Sequence, residues 1–173
     1  MSEVEIRLVN DRRDYKAFIK VPHAVFAHDP AWIAPLNFER SKHISPRHNP
    51  FFEHGRAQLF LAIRNGQPVG RISAQVDELR LARYRDATGM FGFLDGFDDS
   101  AVFSSLFKSA ENWLKAEGMT RAIGPFGFSI NEETGLLVEG FEHPPAVMMG
   151  HAAPYYEAHV AAAGYTPVKD VLA

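Results

Sequence analysis

The sequence predicts an α/β (α+β) fold in which a mixed, mostly antiparallel sheet carries flanking helices. A β-hairpin pattern lies near the middle of the chain, with β-runs at Gln58–Ile63 and Pro68–Val76 around an Asn65-Gly66 turn. Further along, an apolar strand, a long helical pattern and the short strand Arg121–Ile123 predict a βαβ unit with parallel pairing. A hairpin joined to such a unit gives a mixed sheet and not a doubly wound one.

The first third of the chain predicts one strand, one helix and a long loop. The strand is indicated by alternating apolar residues, Val4, Ile6 and Leu8. Asn10-Asp11 then supplies the N-cap of a helix that carries Tyr15, Phe18 and Ile19 on one face. From Ala27 to Phe52 the periodicity fails and four prolines occur, which predicts a long ordered loop with one helical turn.

The second half contains the clearest helix. The strand Met90–Phe97 is followed by Asp98-Asp99-Ser100, which is N-cap chemistry, and by a helix that ends at Gly118. The apolar face of that helix is formed by Phe103, Leu106, Phe107, Ala110, Trp113 and Leu114. A last helix near Pro154–Ala163 and a closing strand from Tyr165 complete the predicted elements.

Composition excludes several classes of protein. The 173 residues predict a single domain over 1–173, and a net charge of −3 without a basic block argues against nucleic acid and anionic membranes. The absence of cysteine removes disulfides and thiolate chemistry. No leader-like or membrane-spanning apolar run is seen, which predicts a cytoplasmic protein, and Val168–Ala173 ends inside a predicted strand, which suggests a chain truncated at its C-terminus.

Two neighbouring segments carry candidate site residues. The run Gly124–Ser129 matches no phosphate-binding motif, so it either makes a close turn against the sheet or brings backbone up to a ligand. Ser129, Asn131, Glu132 and Glu133 follow it. A carboxylate of this group beside a cleft would deprotonate an amine before acyl transfer; the alternative is an Asx turn with exposed acids.

Tyr155 and Tyr156 form the third candidate group, after Pro154 at the predicted start of a helix. A tyrosine hydroxyl there is suited to protonate a leaving group, and we expect at most one of the two rings to face a site while the other packs. The histidines of the loop region, His43, His48 and His54, show no metal-ligand spacing, so we predict no metal site and assign them to loop structure.

A likeness to a known superfamily lies in the order of elements around the hairpin LFLAIRNGQPVGRISAQVD, the strand FGFLDGF and the segment GPFGFS. By these segments nearly all of the chain resembles the GCN5-related N-acetyltransferase (GNAT) superfamily. The segments DPAWIAPL, NPFFEH, NEETGLLVEGFEHPP and HAAPYYEAHVAAAGY resemble more narrowly the N-terminal half of bacterial tandem acetyltransferase-like proteins. Some of those proteins are named dATP pyrophosphohydrolase, and others are related to N-acyltransferases that use long acyl-CoA or acyl carriers.

The resemblance implies acyl-CoA or acetyl-CoA as co-substrate, a small-molecule amine as acceptor, and a second GNAT-like domain or a homodimer as partner. It implies catalytic roles for Glu132, Glu133, Tyr155 and Tyr156. The expected contacts to the acyl donor are Phe93, Leu94, Asp95, Gly124, Phe126, Ser129 and Asn131.

One junction departs from the superfamily pattern. Proteins of this kind usually bind the CoA diphosphate on a [QR]xxGx[GA] loop before a helix N-terminus. Here the junction is Asp95-Gly96-Phe97-Asp98-Asp99-Ser100, and its three carboxylates would repel a diphosphate.

Three functions remain open from the sequence. The first is N-acyl transfer from acyl-CoA or an acyl carrier to an amine. The second is a non-catalytic GNAT-like module that braces or binds a partner domain. The third, dATP pyrophosphohydrolysis, ranks last because NEETGLLVEGFE lacks the carboxylate spacing of a Nudix motif.

Overall fold

Seven strands form two sheets in this computed structural model, which describes residues 3–171. The main sheet contains β1 Glu5–Leu8, β2 Gly55–Arg64, β3 Gln67–Asp77, β4 Thr88–Gly96 and β5 Arg121–Ile123, in that spatial order. The first four strands pair antiparallel, and β4 pairs with β5 in parallel. A small second sheet pairs β6 Phe126–Gly127 with β7 Ser129–Thr134. The predicted mixed, mostly antiparallel sheet is confirmed.

Five α-helices flank the sheets within residues 3–171: α1 Arg12–Val25, α2 Asn37–His43, α3 Glu78–Tyr84, α4 Ser100–Ala116 and α5 Tyr156–Ala162. The predicted caps of α1 and α4 are present, because Asp11 accepts a hydrogen bond from the Asp14 amide at 2.8 Å and Asp99 accepts one from the Ala101 amide at 2.9 Å. Such side chains satisfy amides that have no partner inside the helix.

Both faces of the central strands are covered. Phe60, Ala62, Ile72 and Ala74 face the core that includes α4 and Tyr156 of α5. The alternate residues of β2, Leu59, Leu61 and Ile63, face a second core that includes Phe18 and Ile19 of α1. Since successive side chains of a strand point to opposite faces, burial of both sets requires helices on both sides of the sheet.

Three local expectations are corrected by the structure. The region 27–52 holds the whole of α2, and a 3₁₀ helix, Pro50–Glu53, overlaps its end, whereas one helical turn was expected. Helix α3 was not predicted, and none of its residues is fully buried, so it carries no apolar period. The closing strand expected from Tyr165 is absent from residues 165–171, because that ring is partly buried by packing on Phe91 and Phe107 and needs no strand partner.

No helix in the described range 3–171 is both long enough and apolar enough to cross a bilayer.

Candidate active site

A bulge in the middle of β4 shapes the site. Between the pairs Arg71–Asp95 and Ser73–Gly92, β4 has one residue more than β3. The bulge is centred on Phe93, whose φ is +45°, a left-handed conformation that a bulky side chain seldom adopts. Strained backbone of this kind clusters at functional sites, where irregular strand pairing changes the direction of a side chain.

A cleft of about 120 Å³ opens beside this bulge. Its walls come from α1, the loop before α2, α2 itself, strands β3 and β4, β6, β7 and the segment before α5. The apolar and aromatic part of the lining includes Phe26, Trp32, Ile33, Phe93, Leu94, Phe126, Leu136 and Met149. The charged part consists of Arg40, Arg71, Asp95 and Glu133, and His151 completes the polar lining. An apolar cleft with a few convergent polar groups is the usual form of a small-molecule site.

Arg71 and Asp95 form a buried ion pair at the base of the cleft. Nε of Arg71 donates to Oδ2 of Asp95 at 2.7 Å, and Nη1 donates to the carbonyl oxygen of Phe18 at 3.0 Å. Burial raises the pKa of Asp95 and lowers the pKa of Arg71, while the attraction between the two charges acts in the opposite direction. Removal of either partner would therefore leave an uncompensated charge in the buried base of the cleft.

A second set of polar contacts joins α2 to β7. Arg40 forms an ion pair with Glu133 and donates to Nδ1 of His43 at 3.0 Å. Because a guanidinium can only donate, Nδ1 of His43 accepts, and the proton on Nε2 is directed at Glu132 Oε2, 2.6 Å away. Glu132 and Glu133 thus lie in strand β7 and pair with side chains of α2, so they are not the unpaired acids of an Asx turn, although Glu133 remains partly exposed.

Two aromatic residues with positive φ meet at the edge of the cleft. Phe128 has φ +82° and is completely buried, and its ring lies 5.0 Å from that of Phe93. Phe51 stacks on Phe128 at 5.1 Å, and His43 packs edge-on against it at 5.6 Å. This aromatic packing holds the chain reversal between β6 and β7 against the bulge.

The segment Gly124–Ser129 packs closely on the sheet. A Cβ on Gly92 would lie 1.6 Å from the carbonyl oxygen of Phe126, so only glycine permits this approach. The Phe126 carbonyl also accepts a hydrogen bond from Gln75 Nε2 at 3.1 Å. Since Pro125, Phe126 and Gly127 also line the cleft, the segment has the sheet-packing role and is placed to contact a ligand as well.

The residues expected to contact the acyl donor fall into two groups in the structure. Four of them line the cleft: Phe93, Leu94, Asp95 and Phe126. The other three do not, since Gly124 packs on Phe91 and the Ser129 hydroxyl accepts a hydrogen bond from the amide of the exposed Asn131 at 3.2 Å. Of the two candidate carboxylates, Glu133 lines the cleft and Glu132 lies behind it on His43.

Tyr155 and Tyr156 both reach the end of β4. The Tyr155 hydroxyl donates to the Gly96 carbonyl at 2.8 Å, and the Tyr156 hydroxyl accepts from the Gly96 amide at 3.1 Å. Burial, with the charges of Asp98 and Asp95, raises the pKa of Tyr155 to about 12, and burial raises that of Tyr156 well above its usual range. Neither ring lines the cleft, so the catalytic role expected for one of them stays a prediction.

The acidic junction before α4 has an internal partner for each carboxylate. Asp95 pairs with Arg71, Asp98 accepts from His159 at 2.8 Å, and Asp99 pairs with Arg64. Asp99 also occupies the amides of Ala101 and Val102. The N-terminus of α4, where an anion would bind, is thus filled by the protein's own carboxylate.

The loop histidines have structural contacts. His43 is held between Arg40 and Glu132, His54 lies 3.0 Å from Asp77, and His48 lies 3.0 Å from the Ser45 hydroxyl. Within residues 3–171, no group of three or more histidine, aspartate or glutamate side chains is arranged to hold a metal ion.

Arg40, Arg71 and His151 were not identified as site residues from the sequence. Arg71 alone has a local signal in the sequence, because it is a lone arginine inside β3, a strand covered on both faces. A charge at such a position must find a buried partner. Arg40 and Glu133 lie 93 residues apart, and a contact of that range leaves no local pattern.

Solved structures define the class of fold. A tandem GNAT protein from the clavulanic acid biosynthesis pathway is similar with a TM-score of 0.60 and 15% identity, over 94% of this chain and 43% of that one. An aminoglycoside acetyltransferase from an uncultured soil metagenomic sample, in complex with sisomicin, has a TM-score of 0.57 and 14% identity, over 99% and 92% of the two chains. The chain has the GNAT acetyltransferase fold that its sequence predicts.

Curated sequences give closer relatives. The bacterial ceramide synthase of Caulobacter vibrioides (strain NA1000 / CB15N) is 46% identical over 173 residues, which are 99% of this chain and 45% of that protein. Protein YghO of Escherichia coli (strain K12) is 46% identical over 168 residues, 97% of this chain and 43% of that protein. The chain therefore spans less than half the length of these two relatives. No family model matches the chain.

Proposed function

We propose that the chain provides the site of an N-acyltransferase, which moves an acyl group from a thioester of CoA or of an acyl carrier to a primary amine. The observation that supports this most directly is the cleft beside the β4 bulge, with apolar walls and four charged side chains in a GNAT fold. In such a reaction the amine attacks the thioester directly, so positioning and electrostatics supply most of the rate.

The apolar lining favours a long acyl chain or a long-chain amine as substrate. Trp32, Ile33, Leu136 and Met149 offer surface on which methylene groups gain about 0.8 kcal/mol each when buried. The name of the Caulobacter relative supports this choice, because a ceramide is the amide of a fatty acid and a long-chain amino alcohol. The proposed acceptor is accordingly the primary amine of such an amino alcohol.

Glu133 is proposed to draw the acceptor amine into the cleft. Its side chain is 39% exposed and lies in the lining, and its ion pair with Arg40 fixes the carboxylate in place. A carboxylate so placed attracts an ammonium group to the cleft. Glu132 supports it indirectly through His43 and α2, and Tyr155 and Tyr156 hold the end of β4.

The acidic junction affects how a donor would bind. Asp99 already satisfies the first amides of α4, and Asp98 adds a charge that is mostly exposed to solvent. The proposed binding mode therefore places the thioester and acyl chain in the cleft and keeps a nucleotide diphosphate away from the α4 N-terminus. An acyl carrier, or an acyl-CoA whose nucleotide binds elsewhere, satisfies this condition.

A second candidate is a non-catalytic GNAT-like module that braces or binds a partner domain. The self-capped α4 N-terminus favours it, and so does the fact that these relatives are more than twice the length of this chain. The tandem GNAT neighbour shows that two such folds occur in one protein.

Amide formation by the 173-residue chain distinguishes the two. We expect mass spectrometry to detect an amide product from a long-chain acyl-CoA or acyl carrier protein and a long-chain amino alcohol. Glu133→Gln is expected to raise KM for the amine by about tenfold, the equivalent of 1.4 kcal/mol, whereas Glu139→Gln, at an exposed loop position, leaves it unchanged. Absence of product with every donor, together with absence of donor binding, would support the bracing module instead.

A further inference from the structure

His151 and Asp29 form a hydrogen-bonded pair at the wall of the cleft, with 2.8 Å between His151 Nε2 and Asp29 Oδ2. We propose that His151, oriented by Asp29, is the catalytic base that takes the proton from the acceptor amine during acyl transfer. This inference rests on the proposed function and adds to it the group that moves the proton.

The contacts of Asp29 determine which ring nitrogen is free. Its Oδ1 accepts from the Ala31 amide at 2.9 Å, which fixes the carboxylate. The hydrogen bond from His151 lowers the pKa of Asp29, so this group is ionised at neutral pH. An ionised carboxylate only accepts hydrogen bonds, so Nε2 of His151 carries the shared proton and Nδ1 keeps a lone pair in the neutral ring.

Nδ1 of His151 is buried and has no hydrogen-bond partner among residues 3–171. The side chain is 4% exposed, and its ring packs edge-on against Phe26 with 5.0 Å between centroids. A buried acceptor without a partner costs free energy, and such atoms survive where a ligand supplies the missing donor. An amine N–H in the cleft is a donor of this kind.

The other titratable groups in the lining are already paired. Asp95 is bound by Arg71, and Glu133 is bound by Arg40, so each carboxylate faces a guanidinium. Among the buried side-chain atoms of the lining within residues 3–171, Nδ1 of His151 is the one hydrogen-bond acceptor without a partner. The bridge between Thr134 and Met149 brings the segment before His151 alongside β7, the strand that carries Glu133. The group proposed to attract the amine and the group proposed to deprotonate it thus come from adjacent segments.

Acyl transfer moves one proton from the amine nitrogen, by way of His151, to the leaving thiolate. The ammonium group first loses one proton to solvent water. The neutral amine nitrogen then forms a bond to the thioester carbonyl carbon, and the proton that this nitrogen loses on bonding goes to Nδ1 of His151. The carbon–sulfur bond breaks, and sulfur leaves with the electron pair as a thiolate. The imidazolium then returns its proton to the thiolate, which gives the amide and the free thiol and restores the starting form of the pair.

Variants of the 173-residue chain test the proposal through steady-state kinetics of amide formation. The amide nitrogen of Gln can occupy the position of Nε2, so His151→Gln keeps a donor to Asp29 but lacks an acceptor at Nδ1. We expect His151→Gln to lower kcat by about 10²- to 10⁴-fold, with KM for the donor unchanged. Asp29→Asn, which removes the orienting charge, is expected to lower kcat by about 10- to 100-fold, again with KM for the acyl donor unchanged.

The matched control is His159→Gln, because His159 forms the same kind of pair with Asp98 at 2.8 Å but does not line the cleft. It should retain the kcat of the parent chain. Thermal unfolding of all three variants shows whether a loss of rate reflects a loss of folded protein. If the parent is active and folded His151→Gln retains its kcat, this inference is overturned while the proposed function stands. If the parent forms no amide with any donor, both are overturned.

Discussion

Arg71 and Asp95 are joined across β3 and β4 by a 2.7 Å ion pair whose side chains are 6% and 8% exposed. The pair lies at the bulge and ties the sheet to α1 through the bond from Arg71 to the Phe18 carbonyl. The wall of the cleft therefore depends on two charges that stabilise each other away from water.

Removal of one member of this pair should be costly. Arg71→Met leaves Asp95 and the Phe18 carbonyl without their donor, and we expect a loss of about 3–5 kcal/mol in the free energy of unfolding, measured by urea denaturation. Arg7→Met, which removes a half-exposed arginine 3.8 Å from Glu5 and 4.0 Å from Asp14, should lose less than about 1 kcal/mol. Equal losses in the two variants would show that the buried pair contributes no more to the free energy of unfolding than the more exposed one.

Gly92 should tolerate no side chain. In Gly92→Ala the new Cβ would lie 1.6 Å from the Phe126 carbonyl oxygen, so β6 must move away from β4, at a cost of about 3 kcal/mol. Gly150→Ala is the control, since its nearest neighbour, the Gly135 carbonyl oxygen, is at an ordinary 3.5 Å. A Gly92→Ala protein that melts at the same temperature as Gly150→Ala would contradict the close approach of the two segments.

Asp99 should stabilise α4 in a pH-dependent way. Asp99→Ala removes the cap and is expected to lose about 1 kcal/mol, whereas Asp99→Asn keeps a cap and loses less. The bond from Arg64 lowers the pKa of Asp99 below its ordinary 3.8, so the stabilisation is complete above that value and is lost as the pH falls through the lowered pKa.

Urea denaturation of Asp99→Asn between about pH 2 and pH 6 checks this sign. The variant should lose less stability on acidification than the parent, because its residue 99 has no proton to bind. An identical acid dependence in the two proteins would mean that Asp99 makes no pH-dependent contribution.

We expect the hydroxyls of Tyr155 and Tyr156 to contribute mainly to the free energy of unfolding. Tyr156→Phe leaves the buried Gly96 amide without its acceptor and is expected to lose about 1–3 kcal/mol, and Tyr155→Phe about 1 kcal/mol. Tyr84→Phe, at a ring that is 60% exposed, should stay within about 0.5 kcal/mol of the parent. A hundredfold loss of kcat in a Phe variant of undiminished stability would assign that tyrosine the role of general acid predicted from the sequence.

The sequence predicted the elements whose cause is local. The Asn65-Gly66 turn determines the hairpin, and Asp99 with the apolar period behind it determines α4, so both were found in place. Helix α3 has no fully buried residue and therefore no period to detect. The strand expected from Tyr165 was wrong because an aromatic ring after a helix can pack on the core without pairing in a sheet.

The site was predicted less completely, for a physical reason. Glu133 was identified from its place beside a glycine-rich segment and Asp95 through the resemblance, but their partners Arg40 and Arg71 are brought to them by the fold. Asp29 and His151 are separated by 122 residues and meet only when the segment before α5 returns to the end of α1. Contacts of this range follow from the topology and leave no periodic pattern in the sequence.

Blocking the cleft tests the central claim, that this cleft holds the acyl donor. The measurement is the shift in melting temperature of the chain and of Leu136→Trp with a long-chain acyl-CoA. Leu136 lines the cleft, and Val138→Trp, at a position that is 45% exposed and outside the lining, is the control. At 100 times its Kd the ligand should add about 2.7 kcal/mol, which is several degrees, to the parent and to Val138→Trp but not to Leu136→Trp. Equal shifts in all three proteins, or no shift in the parent, would contradict the claim.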